Sequence, residues 1–235
     1  MLGSVHVRVH GTTRHLKARW VGQEVRLTVP PGIRAADCDR FLAKVQERLL
    51  EARPKMFPGI GSTIEAPFAD FTILTGEANQ RRDVRIHLGA AADDGCKKAA
   101  YIIYIKEDAE SRLGRVDFSR LLNDSLLACA RHATVEHILP LARGIAERVG
   151  RYPVGWLVKE TKTRLGSCTS TGIITLSPRL VFMPLELCEF VICHELAHLS
   201  EMNHSSAFHE LCDSYCGGRE AELQAKVRAF RFPVF

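Results

Sequence analysis

At 235 residues, 46% of them hydrophobic and 25% charged, the chain has the balance of an ordinary globular protein and enough length for a substantial core, as one large domain or two small ones. The first ten residues lack the apolar core of a signal peptide and no apolar run could span a bilayer, so the expectation is a cytoplasmic protein without membrane contact. A net charge of +5 permits acidic partners, but solvated surface lysines and arginines account for it better.

The N-terminal stretch alternates in the strand manner. Val5, Val7 and Val9 share one face, as do Leu16, Ala18 and Trp20, and then Val25, Leu27 and Val29. With turns at Gly11–Thr13 and at Gly22-Gln23, the pattern predicts an antiparallel meander closed by Pro30-Pro31-Gly32. A helix over 35–52 follows, with Phe41, Leu42, Val45, Leu49 and Leu50 on one side, ended by Pro54. Residues 54–66 read as a loop, then 71–74, 84–88 and 99–105 as strands, with a hairpin loop over 89–98. His6, His10, His15 and His87 are isolated and read as strand-surface residues.

From Phe118 the period becomes helical, over 119–132 and 134–149, with Ser119 and Thr134 as N-caps and Pro140 expected to kink or split the second segment. His132 and His137 receive no role. Strands are predicted over 154–162 and 173–176, joined by a turn-rich stretch over 164–172. Pro184 is expected at the first position of the next helix, Ser205 as the cap of a helix over 206–215, and a last helix over 219–230 before an apolar tail. The whole reads as α+β, with an N-terminal β-rich portion over 1–115 (antiparallel strands plus a helix) and a catalytic portion over 116–235, packed as one unit.

The chemistry concentrates in 188–209. His194, Glu195 and His198 form the H-E-x-x-H pattern: histidines four apart return to one helix face and can share a metal, while Glu195 projects beside them to take a proton from water. His204, six residues past His198, supplies a third ligand and leaves one position open, as catalytic zinc requires. The spacing matches the metzincin pattern, but Glu201 stands where that pattern has Gly, with Asn203 as the alternative turn former, and no methionine follows Met202 to make a Met-turn. The apolar approach through Leu185, Leu187, Phe190, Val191 and Ile192 buries the motif, where an idle imidazole would be costly.

The eight cysteines (38, 96, 129, 168, 188, 193, 212 and 216) are expected as reduced thiols. Neither Cys188–Cys193 nor Cys212–Cys216 has a companion pair at zinc-ribbon spacing.

The blocks 162–168 (Lys-Thr-Arg-Leu-Gly-Ser-Cys), 174–180 (Ile-Thr-Leu-Ser-Pro-Arg-Leu), 194–198 (His-Glu-Leu-Ala-His) and 203–205 (Asn-His-Ser) resemble the YgjP-like metal-dependent hydrolases, a zincin group similar to the SprT and WLM families. The resemblance runs over about 130–215 and implies a zincin-like metallopeptidase domain, with His194, His198 and His204 as ligands of one Zn2+ per chain and Glu195 as general base. Leu165 stands where that family usually has Trp, which implies a different substrate groove, and His209 stands where it tends to have a large aromatic. His209 is expected as an exposed or capping residue, with a place behind the ligands or as a spare ligand as the other reading.

The expected function is cleavage of peptide bonds in peptides or proteins, with the strand over 173–176 aligning an extended substrate and Arg164 steadying an oxyanion, a substrate carboxylate or its own hairpin. A competing reading keeps the zinc but hydrolyses a phosphoanhydride, with Lys159, Lys162, Arg164 and Arg179 on the phosphates, although no Gly-rich phosphate loop is present. A third is a non-catalytic nucleic-acid or protein adaptor, against which no zinc ribbon or basic–aromatic cluster is found and a purely structural site would not need Glu195.

Overall fold

The computed structural model describes residues 5–21, 24–51, 59–77, 79–89, 98–161 and 163–232. It forms two compact units, Met1–Phe57 and Pro58–Phe235. The change from strand to helix near residue 116 therefore lies inside the second unit.

In the first unit β1 (Val5–Val9), β2 (Lys17–Val21) and β3 (Glu24–Val29) form one sheet in the order β1-β3-β2. The expected meander is corrected here: β1 runs parallel to β3, and only β2 and β3 are antiparallel. The reason is burial. Val25, Leu27 and Val29 are at most 1% exposed, so the most apolar strand takes the centre, and β1, carrying His6 and Arg8, becomes an edge. Helix α1 (Ala35–Glu51) covers the sheet through Cys38, Phe41 and Leu42, and the Trp20 indole donates to the Leu49 carbonyl at 2.7 Å. Val7 and Val9 stay exposed on β1, and Leu50 is exposed on α1.

The second unit begins with β4 (Thr63–Glu65), β5 (Ala69–Thr75), β6 (Val84–Gly89) and β7 (Ala99–Ile105), in the order β4-β5-β7-β6. β4 falls within the stretch expected as loop, and residues 90–97 of the expected hairpin loop lie outside the described residues. β6 and β7 do pair antiparallel, while β5 and β7 are parallel. Helix α2 (Ala109–Ala133) lays Phe118, Leu122, Leu126, Cys129 and Ala133 over buried Phe71, Ile73, Tyr101 and Ile103. It starts nine residues before the helical period becomes readable, because Gly114 leaves helical geometry at φ 73° and breaks the pattern.

Ser119 and Thr134 are not caps. Ser119 lies inside α2, and the Thr134 hydroxyl donates back to the Ala130 carbonyl at 2.8 Å in a helix that continues. The chain widens into a π turn over Thr134–Ile138 before α3 (Leu139–Val149), which accommodates the missing N–H and the ring of Pro140. Gly150, at φ 65°, ends α3 in the left-handed conformation.

A third sheet holds β8 (Gly155–Val158), β9 (Gly166–Cys168) and β10 (Ile173–Leu176), ordered β8-β10-β9. β9 was expected as turn; its Gly-Ser-Cys composition carries no strand signal. A 3-10 turn over Pro178–Phe182 leads into α4 (Leu185–Ala197), with Pro184 one position earlier than expected, as the N-cap. Nine residues of α4 are buried on all sides of the helix, which makes it the central element of this unit. Helices α5 (Ser206–Tyr215) and α6 (Glu220–Ala229) pack against it, separated by Gly217 and Gly218, both at positive φ. The α+β class is borne out. Among the described residues, no helix is long and apolar enough to cross a membrane.

Candidate metal centre

Helix α4 delivers His194 from its last turn and His198 as its C-cap. The chain then turns, and Ser205 caps α5 by accepting from the Phe208 N–H at 3.3 Å, which holds His204 just before the new helix. One ligand atom from each of His194, His198 and His204 falls within 4.8 Å of the others, and the Nε2 atoms of His194 and His204 are 3.2 Å apart. His198 Nδ1 meets the Glu201 carbonyl at 3.0 Å, which fixes the proton on that nitrogen and leaves Nε2 to face the cluster. Glu201 thus serves the site through its backbone, without the glycine of the metzincin pattern.

Burial holds the His194 imidazole down to about 4, aided by the neighbouring rings of His198, His204 and His209. Burial also lowers His198, although its bond to the Glu201 carbonyl works the other way. Both are therefore neutral near pH 7, with a lone pair to donate. The set suits a divalent metal: three neutral imidazoles converge and the cleft around them is open.

Glu195 is 6% exposed, and burial pushes its carboxyl up to about 7, with the Arg164 guanidinium pulling it back. Gly166 of β9 faces it directly. A Cβ at that position would lie 2.6 Å from Glu195 Cγ and Oε1, so only glycine lets strand and carboxylate approach this closely. Gly166, Cys168, Glu195, Met202 and the three histidines line a cleft of about 300 Å3, with Arg164 at its side. Burial raises the Cys168 thiol, and so does the charge of Glu195.

The sequence reading overlooked Phe208. It is fully buried, stacks on the His198 ring at 4.5 Å, and meets His194 and His204 edge-on at 4.9 and 4.7 Å. Its place four residues after His204, on a capped helix, was the available signal. His209 instead points to Glu220, 2.8 Å from Nδ1 to Oε1, and stands behind the cluster with its ring 6.3 Å from that of His204.

Two expectations need correction. The strand over Ile173–Leu176 cannot receive a substrate, because β10 is central and bonded to β8 and β9 on both sides. Of the two edge strands β9 is the one at the cleft: Leu165 O accepts from Ser177 N, so by antiparallel alternation the backbone groups of Gly166 and Cys168 point away from β10. The described members of the phosphate-binding set also do not assemble. Arg179 pairs with Glu160 at 3.3 Å, Lys162 lies outside the described residues, and of the set only Arg164 lines the cleft. A larger cavity of about 850 Å3, between β6 and α2, shares no lining residue with the histidine cleft.

The model of the YgjP-like family, described as a metallopeptidase domain, matches residues 14–226. The chain belongs to the YgjP-like family. Its match takes in α4, β9 and all three histidines, so the domain that holds them is a metal-dependent peptidase domain. Two solved structures are similar to parts of the chain, both metallopeptidase zymogens: abylysin of Pyrococcus abyssi at 23% identity and jannalysin of Methanocaldococcus jannaschii at 22%. Each covers 39% of this chain, from 92% and 94% of its own length, with TM-scores of 0.36 and 0.35. No curated protein matches the chain.

Proposed function

We propose that this YgjP-like protein is a one-zinc peptidase in which His194, His198 and His204 hold the metal and Glu195 is the general base. The observation that carries the reading is the meeting of three imidazoles within 4.8 Å beside a buried carboxylate. Zinc, when bound, supplies Lewis acidity that makes water a nucleophile at neutral pH and polarises the peptide carbonyl. Glu195, raised to about 7, accepts the proton of the attacking water and returns it to the leaving amine. The outward backbone groups of Gly166 and Cys168 pair with an extended substrate as an added strand, next to Glu195. Arg164, close enough to act on the Glu195 charge, is available to the developing oxyanion. Seven described cysteines are free thiols, which suits a reducing compartment such as the cytoplasm.

Elemental analysis of purified wild type and His204→Ala tests the site. The expected result is about one zinc per wild-type chain and a loss in the variant, because catalytic zinc takes three protein ligands. Peptide hydrolysis with Glu195→Gln as the blank then tests the reaction. A wild-type protein that holds no metal after zinc is supplied would overturn the proposal.

A further inference from the structure

A second cavity, of about 260 Å3, adjoins the histidine cleft and shares His194, Glu195 and Gly166 with it. Its walls are apolar and come from three segments: Leu165 before β9, Phe190 and Val191 of α4, and Val227 of α6. Phe190 and Val191 are buried and Gln224 of α6 adds one half-buried amide, whereas Arg164 and Arg228, also in the lining, are exposed and so stand at the mouth.

Neither guanidinium forms an ion pair within 4 Å with a carboxylate among the described residues, although Arg164 acts on the Glu195 charge at longer range. The contrast with the rest of α6 is informative: Arg219 and Lys226 are both tied to Glu186 and Glu222. Glu195 is the sole carboxylate among the described lining residues, and it is buried. The cavity therefore presents mainly apolar walls beside the reacting groups and two cations without a close carboxylate partner at its mouth.

We infer that this cavity selects the substrate: it takes an apolar side chain next to the bond that is cut, together with a carboxylate held by Arg164 and Arg228. The inference rests on the peptidase reading above. A chain-terminal carboxylate and an acidic side chain would offer the same chemistry, the first marking removal of C-terminal residues and the second cleavage within a chain. Leu165 sets the depth of the floor, so a bulkier residue there would close it.

Calorimetric binding to the zinc-loaded full chain distinguishes the outcomes, using N-acetyl-phenylalanine, its amide, and N-acetyl-phenylalanyl-aspartyl-amide. One of the two carboxylates should bind roughly tenfold or more tightly than the amide, the return expected of a charge-assisted pair. Which one does so identifies the source of the carboxylate. Arg228→Gln, an exposed position whose replacement leaves the fold intact, should remove most of that preference, and Leu165→Trp should weaken all three ligands while zinc content holds. Binding of both carboxylates no tighter than the amide would overturn the inference, and so would a preference that survives Arg228→Gln, since the carboxylate would then sit on the metal. Cleavage sites in a peptide mixture, read by mass spectrometry, separate this inference from the one beneath it. Cleavage without the apolar–carboxylate pattern removes the subsite alone. Carboxylate preference with no peptide cleaved removes the peptidase reading and leaves the subsite.

Discussion

Replacing Gly166 by alanine tests whether the position of Glu195 controls the reaction. The added Cβ would stand 2.6 Å from Glu195 Cγ and Oε1 and 2.9 Å from Cδ. Ordinary carbon contacts lie near 3.5–4.0 Å, so the carboxylate must withdraw by about 1 Å. It has little room to do so without leaving the cleft, since it is 6% exposed and its helix neighbours are buried. A misplacement of about 1 Å costs roughly 10²-fold, or about 2.7 kcal/mol of transition-state stabilisation. The expected outcome is a fall of that order in kcat/KM on a peptide substrate, with zinc content unchanged because no ligand is touched. In a Glu195→Gln background the same substitution should add almost nothing, since no base is left to misplace, and the double-mutant cycle reads that coupling. Wild-type activity in Gly166→Ala would refute the reasoning. Equal losses in the presence and absence of Glu195 would also refute it, by showing that the strand acts through something else.

Phe208→Ala should destabilise the metal-free protein by about 3–5 kcal/mol, measured by urea unfolding, and should weaken zinc retention against a chelator, because one ring packs on all three imidazoles. Ser205→Ala removes the cap of α5 and should cost about 1 kcal/mol with a smaller loss of zinc affinity, a pairing that urea unfolding and chelator competition separate. In metal-free protein, Glu195 is raised from 4.5 to about 7, so its contribution to stability is full below about pH 4.5 and lost as pH rises through about 7. His194 is lowered from 6.5 to about 4, so its contribution is full above pH 6.5 and lost as pH falls through about 4. The two oppose each other in overlapping windows. Glu195→Gln should therefore gain on wild type above pH 7 and forfeit that gain by pH 4.5, and parallel urea-derived stability curves for the two proteins would refute the assignment.

Much of the site was readable because the helix does the assembling. Residues four apart on α4 must share a face, and Ser205, a good N-cap followed by an apolar position, marks where α5 begins and so where His204 is held. The two C-terminal helices and strands β7 and β10 were equally legible, since each has a strong period and clear breakers. What escaped depends on long-range pairing. The sheet order β1-β3-β2 places the strand with the most buried face between the other two, a choice of neighbours that alternation along one strand does not encode. β9 has no β-branched or aromatic residue and is a strand only because β10 pairs with it.

That last case changes the view of the active cleft. A strand placed by local propensity would have assigned substrate binding to β10, whose Ile-Ile-Thr-Leu sequence is the better strand former. Propensity instead selects the central strand, which is bonded along both edges and buries Ile174 and Leu176. The edge that meets a substrate is under the opposite demand: it must come close to Glu195 and leave its backbone free. Glycine at 166 satisfies the first and an unpaired outer edge the second. The weakness of the strand signal in β9 thus has the same cause as its suitability for the site, and a substitution that improved its strand propensity, such as Gly166→Val, should disable the cleft while leaving the sheet paired.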